Sequence, residues 1–252
     1  PEVLEQSVIE IPEPLAHQIL VRVKAAAVNP VDWHYMRGSP YIMRLMTGIG
    51  APNDQGIGVQ IAYSLLRVGA GFGLATIVAI PLGFVIGMSP LLNAALNPFI
   101  QVLRPVSPLA WMPLALYSIK DSAISAVFVI FICSIWPMLL NTAFGVASVR
   151  REWLNVARTL EAGRWRTAIR VILPAAAPTI VTGMRISIGI AWLVIVAAEM
   201  LVGGTGIGYY VWNEWNNLDL TSVVFSILMI GVVGMLLDAM FGLLQRRVTY
   251  AE

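Results

Sequence analysis

The stretch that decides the fold is Val127-Phe-Val-Ile-Phe-Ile-Cys-Ser-Ile-Trp136, which lies inside a run of 28 residues, 122 to 149, without a charged side chain. A helix rises about 1.5 Å per residue, so this run is longer than the roughly 30 Å of hydrocarbon in a bilayer. The stretch therefore predicts a membrane-spanning helix. Pro137 lies within the run and predicts a kink, because proline donates no backbone hydrogen bond.

The whole composition agrees with a membrane protein. Of 252 residues, 58% are hydrophobic and only 12% are charged, and the mean hydropathy is +0.78. A water-soluble domain needs a larger polar fraction to cover its surface. The net charge is only +2, and most basic residues are arginines gathered in a few places. This pattern indicates membrane topology and argues against a nucleic-acid partner.

Four further apolar stretches predict spans, which gives an all-α transmembrane helical bundle of about five spans. They are residues 68 to 88 (extending back toward Ile61), a proline-broken stretch from 91 to 119, residues 178 to 202 and residues 221 to 244. In the first of them, the pairs Gly69/Gly73 and Gly83/Gly87 predict close contacts between helix backbones, as small residues four apart do in lipid.

Arginine sets the orientation of the bundle. Two arginines follow the last span, and six more lie between the third and fourth spans, in the loop of residues 150 to 172: Arg150, Arg151, Arg158, Arg164, Arg166 and Arg170. Basic loops stay in the cytoplasm. Apolar residues at helical spacing predict two short amphipathic helices in this loop, one before Gly163 and one ending at Pro174. Such helices lie on the inner leaflet or contact a partner protein.

The order of residues in this loop favours contact with a partner protein. Asn155-Val-Ala-Arg-Thr-Leu-Glu-Ala-Gly-Arg, with Ile-Arg-Val-Ile-Leu-Pro174 after it, resembles the EAA loop of ABC importer permeases. Asn155 and Val156 stand where that family has Glu-Ala, and Glu161 stands where it usually has Gly. The resemblance implies the type I ABC importer permease fold. It also implies that the coupling residues docking on the ATPase are Asn155, Ala157, Leu160, Glu161, Ala162, Gly163 and Pro174.

The same resemblance implies the partners and the location. Two ATP-binding cassette ATPase subunits, a second permease subunit (as a homodimer) and a solute-binding protein would complete an importer in the bacterial cell inner membrane. Two more stretches, Leu103-Arg-Pro-Val-Ser-Pro-Leu-Ala-Trp-Met-Pro-Leu114 and Ala197-Ala-Glu-Met-Leu-Val-Gly-Gly-Thr-Gly-Ile-Gly208, look like the nitrate, taurine and sulfonate branch. The chain is most similar there to nitrate and bicarbonate permeases. The expected substrate is a small anion: nitrate, nitrite, bicarbonate or a sulfonate such as taurine.

Ionisable residues within spans are candidates for the translocation pathway, because charge is costly in hydrocarbon. Arg104 either contacts the anion or has a structural role, and Ser107 and Glu199 are the other candidates. Arg185 and Glu199 lie about 21 Å apart on one helix, too far to pair. Both lie near predicted ends of that span, so snorkelling to the interface is equally open for each. Asp238 lies late in the fifth span and is expected to meet basic residues or water at the cytoplasmic side.

The sequence offers no catalytic, cofactor or metal motif. It has no G-x-x-x-x-G-K-[ST], and Lys24 and Lys120 are its only lysines, so the ATPase must be a separate chain. His17 and His34 have no clustered ligand partners, so no metal site is expected. Charged relays and internal repeats, which a secondary transporter would need, are not apparent. We therefore expect a transport subunit that is not itself an enzyme.

The first 56 residues differ in kind from the rest. Ala25-Ala-Ala-Val-Asn-Pro-Val-Asp-Trp33, with Arg37-Gly38, resembles the opening of zinc-independent medium-chain reductases of the quinone oxidoreductase type. We expect residues 1–56 to be a truncated reductase-like segment, with a short β-like strand at residues 20 to 28 and a linker at 40 to 56, joined to a permease domain at 57–252. The first of the six spans usual in the family would then be missing. The alternative is a fused reductase-like protein without its nucleotide domain.

Overall fold

The computed structural model describes residues 56–248, and in that range the chain is helical with no strand. One 3-10 turn spans Pro108–Ala110, and one π turn spans Ala168–Ile172. The helices are α1 Ile57–Met88, α2 Pro90–Leu103, α3 Trp111–Ile119, α4 Ser122–Ala147, α5 Arg151–Thr159, α6 Arg164–Thr167, α7 Leu173–Val202, α8 Ile207–Asn216 and α9 Leu220–Val248.

The predicted all-α bundle is confirmed. Four stretches are long and apolar enough to cross a membrane: α1, α4, Arg164–Val202 and α9. The predicted proline-broken span is a pair of helices, Pro90–Leu103 and Pro108–Ile119, bent by 77°. Arg104 still has helical backbone angles, with φ −58° and ψ −45°, and the helix ends there because Pro105 has no N–H to donate. The count is five when this bent pair is one span.

Glycines set the packing of α1 along α4, and the two helices run parallel. A Cβ on Gly83 would lie 2.7 Å from the Leu139 carbonyl oxygen, and one on Gly87 would lie 2.5 Å from the Ala143 carbonyl oxygen. The predicted close contact at Gly83/Gly87 is therefore confirmed.

The predicted contact at Gly69/Gly73 is wrong, since no described atom approaches within 4 Å of either position. The close approach on this part of α1 is made by Gly71, whose Cβ would lie 2.7 Å from Ile130. Four-residue spacing identified two pairs of small residues, but it could not show which face of the helix meets α4.

A hydrogen bond between α4 and α7 fixes the height of α7 in the bundle. Ser187 Oγ donates to the Ser134 carbonyl oxygen over 2.8 Å, and both side chains are buried. Ser134 is at the centre of α4, which runs from Ser122 to Ala147. Ser187 therefore lies at about mid-height of the bundle. Helix α9 packs on the same helix, where Trp192 Nε1 donates to the Ile230 carbonyl oxygen over 3.0 Å.

The second amphipathic helix predicted in the basic loop is wrong as a separate element. The chain is helical without a break from Arg164 to Val202, so this segment is the start of the fourth span. Pro174 does not end the helix. It follows a π turn in which the Leu173 N–H donates to the Ala168 carbonyl oxygen, and such widened turns accommodate the missing proline donor.

The expectations for the N-terminal segment concern residues before the described range. The predicted strand at residues 20 to 28 and nearly all of the predicted linker at 40 to 56 lie outside residues 56–248. The division of the chain at residue 56 stays a prediction.

Candidate functional site

A cavity of about 510 Å³ lies between α4, α7 and the break that follows α2. Cys133 and Trp136 of α4 line it, and these residues flank Ser134 at mid-height. Ile186 and Ile190 of α7 form the opposite wall, and Arg104 is the one charged residue of the lining. The cavity is therefore an apolar recess at membrane depth with a single guanidinium.

The proline break places Arg104 in this cavity. Helix α2 ends at Leu103, and the Arg104 N–H still donates to the Ile100 carbonyl oxygen over 2.9 Å before Pro105 turns the chain. Within residues 56–248 the Arg104 side chain has no ion-pair partner. A free guanidinium offers a planar, bidentate donor set that matches two oxygens of a small oxyanion.

The three residues predicted for the pathway do not lie together. Arg104 lines the cavity. Ser107 is exposed three residues further on, at the start of the 3-10 turn, and is not part of the lining. Glu199 lies near the far end of α7, where it belongs to a different group of polar side chains.

Glu199 is the centre of a buried cluster that we call the clamp, formed by Gln60, Ser64, Arg67, Glu199 and the loop of residues 203 to 206. Its side chain is 2% exposed, so the snorkelling alternative is wrong for this residue. Arg67 Nη1 donates to Glu199 Oε1 over 2.7 Å, and Ser64 Oγ donates to Oε2 over 2.7 Å. The Gly208 N–H donates to the same Oε2 over 3.1 Å.

The clamp holds the glycine-rich loop between α7 and α8. Gly203, Gly204 and Gly206 have φ values of 76°, 97° and 118°, a backbone region that favours glycine. Arg67 Nη1 donates to the Thr205 carbonyl oxygen over 2.6 Å, and Arg67 Nη2 donates to Thr205 Oγ1 over 2.6 Å.

Two backbone N–H groups of this segment are satisfied from α1. The Gly206 N–H donates to Gln60 Oε1 over 2.5 Å, and the Ile207 N–H donates to Ser64 Oγ over 2.9 Å. The clamp thus closes the end of the bundle opposite the basic loop. Its members on α1 are absent from the sequence-based candidates, although Gln60, Ser64 and Arg67 recur at helical spacing on an apolar span, which is the signal that could have found them.

A second ion pair joins α7 to α9. Arg185 Nε donates to Asp238 Oδ1 over 2.7 Å, and Nη2 donates to Oδ2 over 2.6 Å, so the pair is bidentate. The two side chains are 39% and 56% exposed. Asp238 meets a basic residue, as predicted, but it does so near mid-height and not at the cytoplasmic side, because its partner Arg185 is two residues from Ser187.

The placement of Arg185 near a span end is wrong. It is two residues from Ser187 and so about 3 Å along the helix axis from mid-height. The prediction failed because the helix begins at Arg164 and not at Pro178.

The basic loop begins with the predicted first amphipathic helix, α5. Its apolar residues Trp153, Val156 and Leu160 are 47%, 58% and 74% exposed. Ala157, by contrast, is buried. The helix therefore presents an uncovered apolar face on a strongly basic segment. The side chain of Asn155 contacts its own helix, since Asn155 Oδ1 accepts from Arg158 Nη1 over 3.4 Å.

The turn after α5 explains an unusual residue of the loop. The Glu161 N–H donates to the Arg158 carbonyl oxygen over 2.9 Å, and the Ala162 N–H donates to the Ala157 carbonyl oxygen over 3.0 Å. These two bonds form a Schellman motif with Glu161 at its left-handed position, where φ is 51°. Glycine fits this position best, which accounts for the glycine usual there. Gly163 is the N-cap residue of α6.

The chain matches the family described as "Binding-protein-dependent transport system inner membrane component" over residues 79–250. It is 48% identical over 203 residues to the nitrate import permease protein NrtB of Leptolyngbya laminosa, covering 81% of this chain and 73% of that protein. It is 42% identical over 194 residues to the bicarbonate transport system permease protein CmpB of Synechococcus elongatus, covering 77% and 70%.

Solved structures share the fold. A chain of the MetNI methionine ABC transporter in an inward-facing conformation superposes with a TM-score of 0.68. The match covers 84% of this chain and 99% of that one at 14% sequence identity, which supports the fold alone.

Proposed function

Because the chain belongs to the inner membrane components of binding-protein-dependent transport systems, in the nitrate branch of ABC importer permeases, we propose that it imports nitrate or bicarbonate. The relatives named for nitrate and for bicarbonate support this substrate class. Both anions are planar and carry one negative charge, so one guanidinium can bind either through two oxygens. The family assignment favours neither the reductase nor the secondary transporter that the sequence left as alternatives.

The observation that carries the proposal is the guanidinium of Arg104, which lines the cavity and has no ion-pair partner among residues 56–248. The Arg104 side chain is exposed, so an anion that enters the cavity can reach this positive charge. Ser107 lies three residues further along the chain, at the start of the 3-10 turn, and would add a hydroxyl donor. Glu199 acts at the outer end of the same pathway, where it holds the glycine-rich loop and does not touch the anion.

The basic loop is the coupling element in this proposal. The apolar face of α5, formed by Trp153, Val156 and Leu160, would seat on an ATPase subunit. The turn made by Glu161, Ala162 and Gly163 fixes the angle between α5 and the fourth span, whose first turns include Pro174. Two ATPase subunits, a second copy of the permease and a solute-binding protein would complete the importer in the bacterial inner membrane.

Uptake into liposomes containing the complete importer tests the substrate and the role of Arg104. Labelled nitrate and bicarbonate should accumulate when ATP is present on the cytoplasmic side. Arg104→Gln should lower uptake about tenfold, because a charge-assisted bidentate contact is lost. Arg246→Gln removes an arginine outside the cavity and is the matched control. Normal uptake by Arg104→Gln, with wild-type protein levels, contradicts the proposed contact.

Stimulation of ATP hydrolysis tests the coupling element. Leu160→Glu places a charge on the exposed apolar face of α5 and should abolish the stimulation that the loaded solute-binding protein produces. Leu160→Met keeps the apolar contact and is the control. Ala157 is a poorer probe, since it is buried and a larger side chain would disturb the turn itself. Unchanged stimulation in Leu160→Glu contradicts docking through this face.

A further inference from the structure

The Arg185–Asp238 pair lies at a depth where charge is costly. Arg185 is about 3 Å from mid-height, as the hydrogen bond between Ser187 and the centre of α4 shows. The pair is nevertheless open, with 39% and 56% of the two side chains exposed. Charged groups at this depth are found facing protein or water and not lipid tails. The surface of α7 and α9 that carries the pair therefore does not face lipid.

The lone pairs of Asp238 point to water as the neighbour. Each carboxylate oxygen accepts one bond from Arg185, and each has room for at least one more. No other described residue supplies these donors. A dry apolar contact over the pair would leave them unsatisfied, at a substantial cost in free energy.

Polar groups continue from the pair toward the cytoplasmic end. Arg185 Nη1 donates to Gln245 Oε1 over 3.2 Å, and Gln245 Nε2 donates to Thr182 Oγ1 over 3.0 Å. On the other side of the pair, one turn along α7, Gly189 is exposed and a Cβ built on it meets no described atom within 4 Å. The pair thus belongs to a polar stripe, formed by Thr182, Arg185, Asp238 and Gln245, with the exposed Gly189 one turn further along α7.

We propose that this stripe lines the water-filled part of the translocation pathway, and that Arg185 is a second anion contact whose resting partner is Asp238. The proposal rests on the proposed function, since it concerns the same anion. A carboxylate presents two oxygens to a guanidinium, and nitrate and bicarbonate present the same two-oxygen edge. The passing anion replaces Asp238 on the guanidinium, and the return of Asp238 displaces it again. Asp238 therefore keeps the contact weak enough for release.

Cysteine accessibility in the complete transporter tests this inference without depending on the solute-binding protein. Cys133 is the only cysteine of the chain, so Cys133→Ser gives a cysteine-free background. Gly189→Cys then reports on the stripe. Ile77→Cys is the control. Ile77 lies at similar height, between Gly71 and Gly83, which contact α4 on either side of its centre, and it is 71% exposed on an apolar face of α1. Each variant is treated in membranes with an anionic and with a cationic water-soluble thiosulfonate.

We expect Gly189→Cys to react with the anionic reagent about tenfold faster than Ile77→Cys, because the reagent dissolves in water and Gly189 would face water while Ile77 lies on an apolar face. Excess nitrate should slow the reaction. Adding Arg185→Gln should slow the anionic reagent and spare the cationic one, whereas adding Asp238→Asn should speed the anionic reagent. Opposite effects of the two variants separate an anion contact from a merely structural pair, for which both would act alike.

Three results overturn the inference: no reaction at Gly189→Cys, a rate independent of Arg185, or a disulfide between two copies at Gly189→Cys without reagent access, which indicates a subunit interface. Uptake measured in the same preparation separates the two proposals. Uptake of nitrate without Arg185 dependence overturns this site alone. Arg185-dependent reactivity without uptake of nitrate or bicarbonate leaves the site standing and contradicts the proposed substrate.

Discussion

Two ion pairs within residues 56–248, Arg67–Glu199 and Arg185–Asp238, have the same chemistry and opposite surroundings. Arg67 and Glu199 are 14% and 2% exposed, and their carboxylate also accepts from a hydroxyl and a backbone N–H. Arg185 and Asp238 are 39% and 56% exposed, and Arg185 is the only described donor to that carboxylate. The first pair is fixed in place, because the further donors to its carboxylate are buried groups of the same chain. The second pair can exchange its partner. The difference shows that the exposure of an ion pair and the other groups bound to it, more than its N–O distance, decide whether the pair is structural.

The largest expected effect is on the clamp. Glu199→Ala leaves Arg67 buried without its counter-charge and removes the acceptor for Gly208, so it should destabilise the protein by about 4 kcal/mol. Thermal unfolding of the purified complex in detergent measures the loss. Asp238→Ala is the matched variant at the open pair and should change the unfolding temperature much less. Equal losses would remove the distinction between the two pairs.

Exchanging the charges sharpens the comparison. The double variant Arg185→Asp, Asp238→Arg keeps a pair of opposite charges in an open setting and should restore the unfolding temperature that the single variants lose. Arg67→Glu with Glu199→Arg should stay destabilised by about 3 kcal/mol, because the Gly208 N–H then faces a cation. Recovery of both double variants to the wild-type unfolding temperature would show that the clamp needs only a charge pair.

A smaller effect is expected from a neutral member of the clamp. Ser64 Oγ donates to Glu199 and accepts from the Ile207 N–H, so Ser64→Ala should cost about 1.5 kcal/mol. Thr182→Val removes a hydroxyl beside the open pair, where water can replace it, and should change stability by about 0.5 kcal/mol or less. Chemical unfolding followed by tryptophan fluorescence compares them. A larger loss in Thr182→Val would contradict the assignment of water to that stripe.

The smallest expected effect lies in the basic loop and touches neither pair. Glu161 has a φ of 51°, so Glu161→Gly should relieve backbone strain and stabilise the protein by about 0.5 kcal/mol after the added freedom of the unfolded chain is counted. Glu161→Ala keeps the strain and should leave stability unchanged. The same thermal scan measures both variants and sets the baseline for the pairs. A loss in Glu161→Gly would mean that its side chain makes a contact of its own.

Hydropathy and arginine placement were enough to predict the spans and the basic loop, because both depend on local sequence and on the bilayer. The residues that lie together could not be predicted. Ser64 and Glu199 are 135 positions apart, and their contact depends on how α1 packs against α7. The sequence predicts Arg185 too near a span end, because the prolines at 174 and 178 indicate helix ends. In the structure the π turn allows the helix to continue past both prolines.

That π turn has a mechanical consequence. From Arg164 to Val202 the chain is one rod about 58 Å long, which starts in the basic loop and ends at the segment gripped by Glu199. A continuous helix of this length transmits a displacement of its cytoplasmic end to its outer end. A flexible connection would absorb the displacement. The π turn lies near the cytoplasmic end of this helix. It allows the helix to bend there while the chain of backbone hydrogen bonds stays intact.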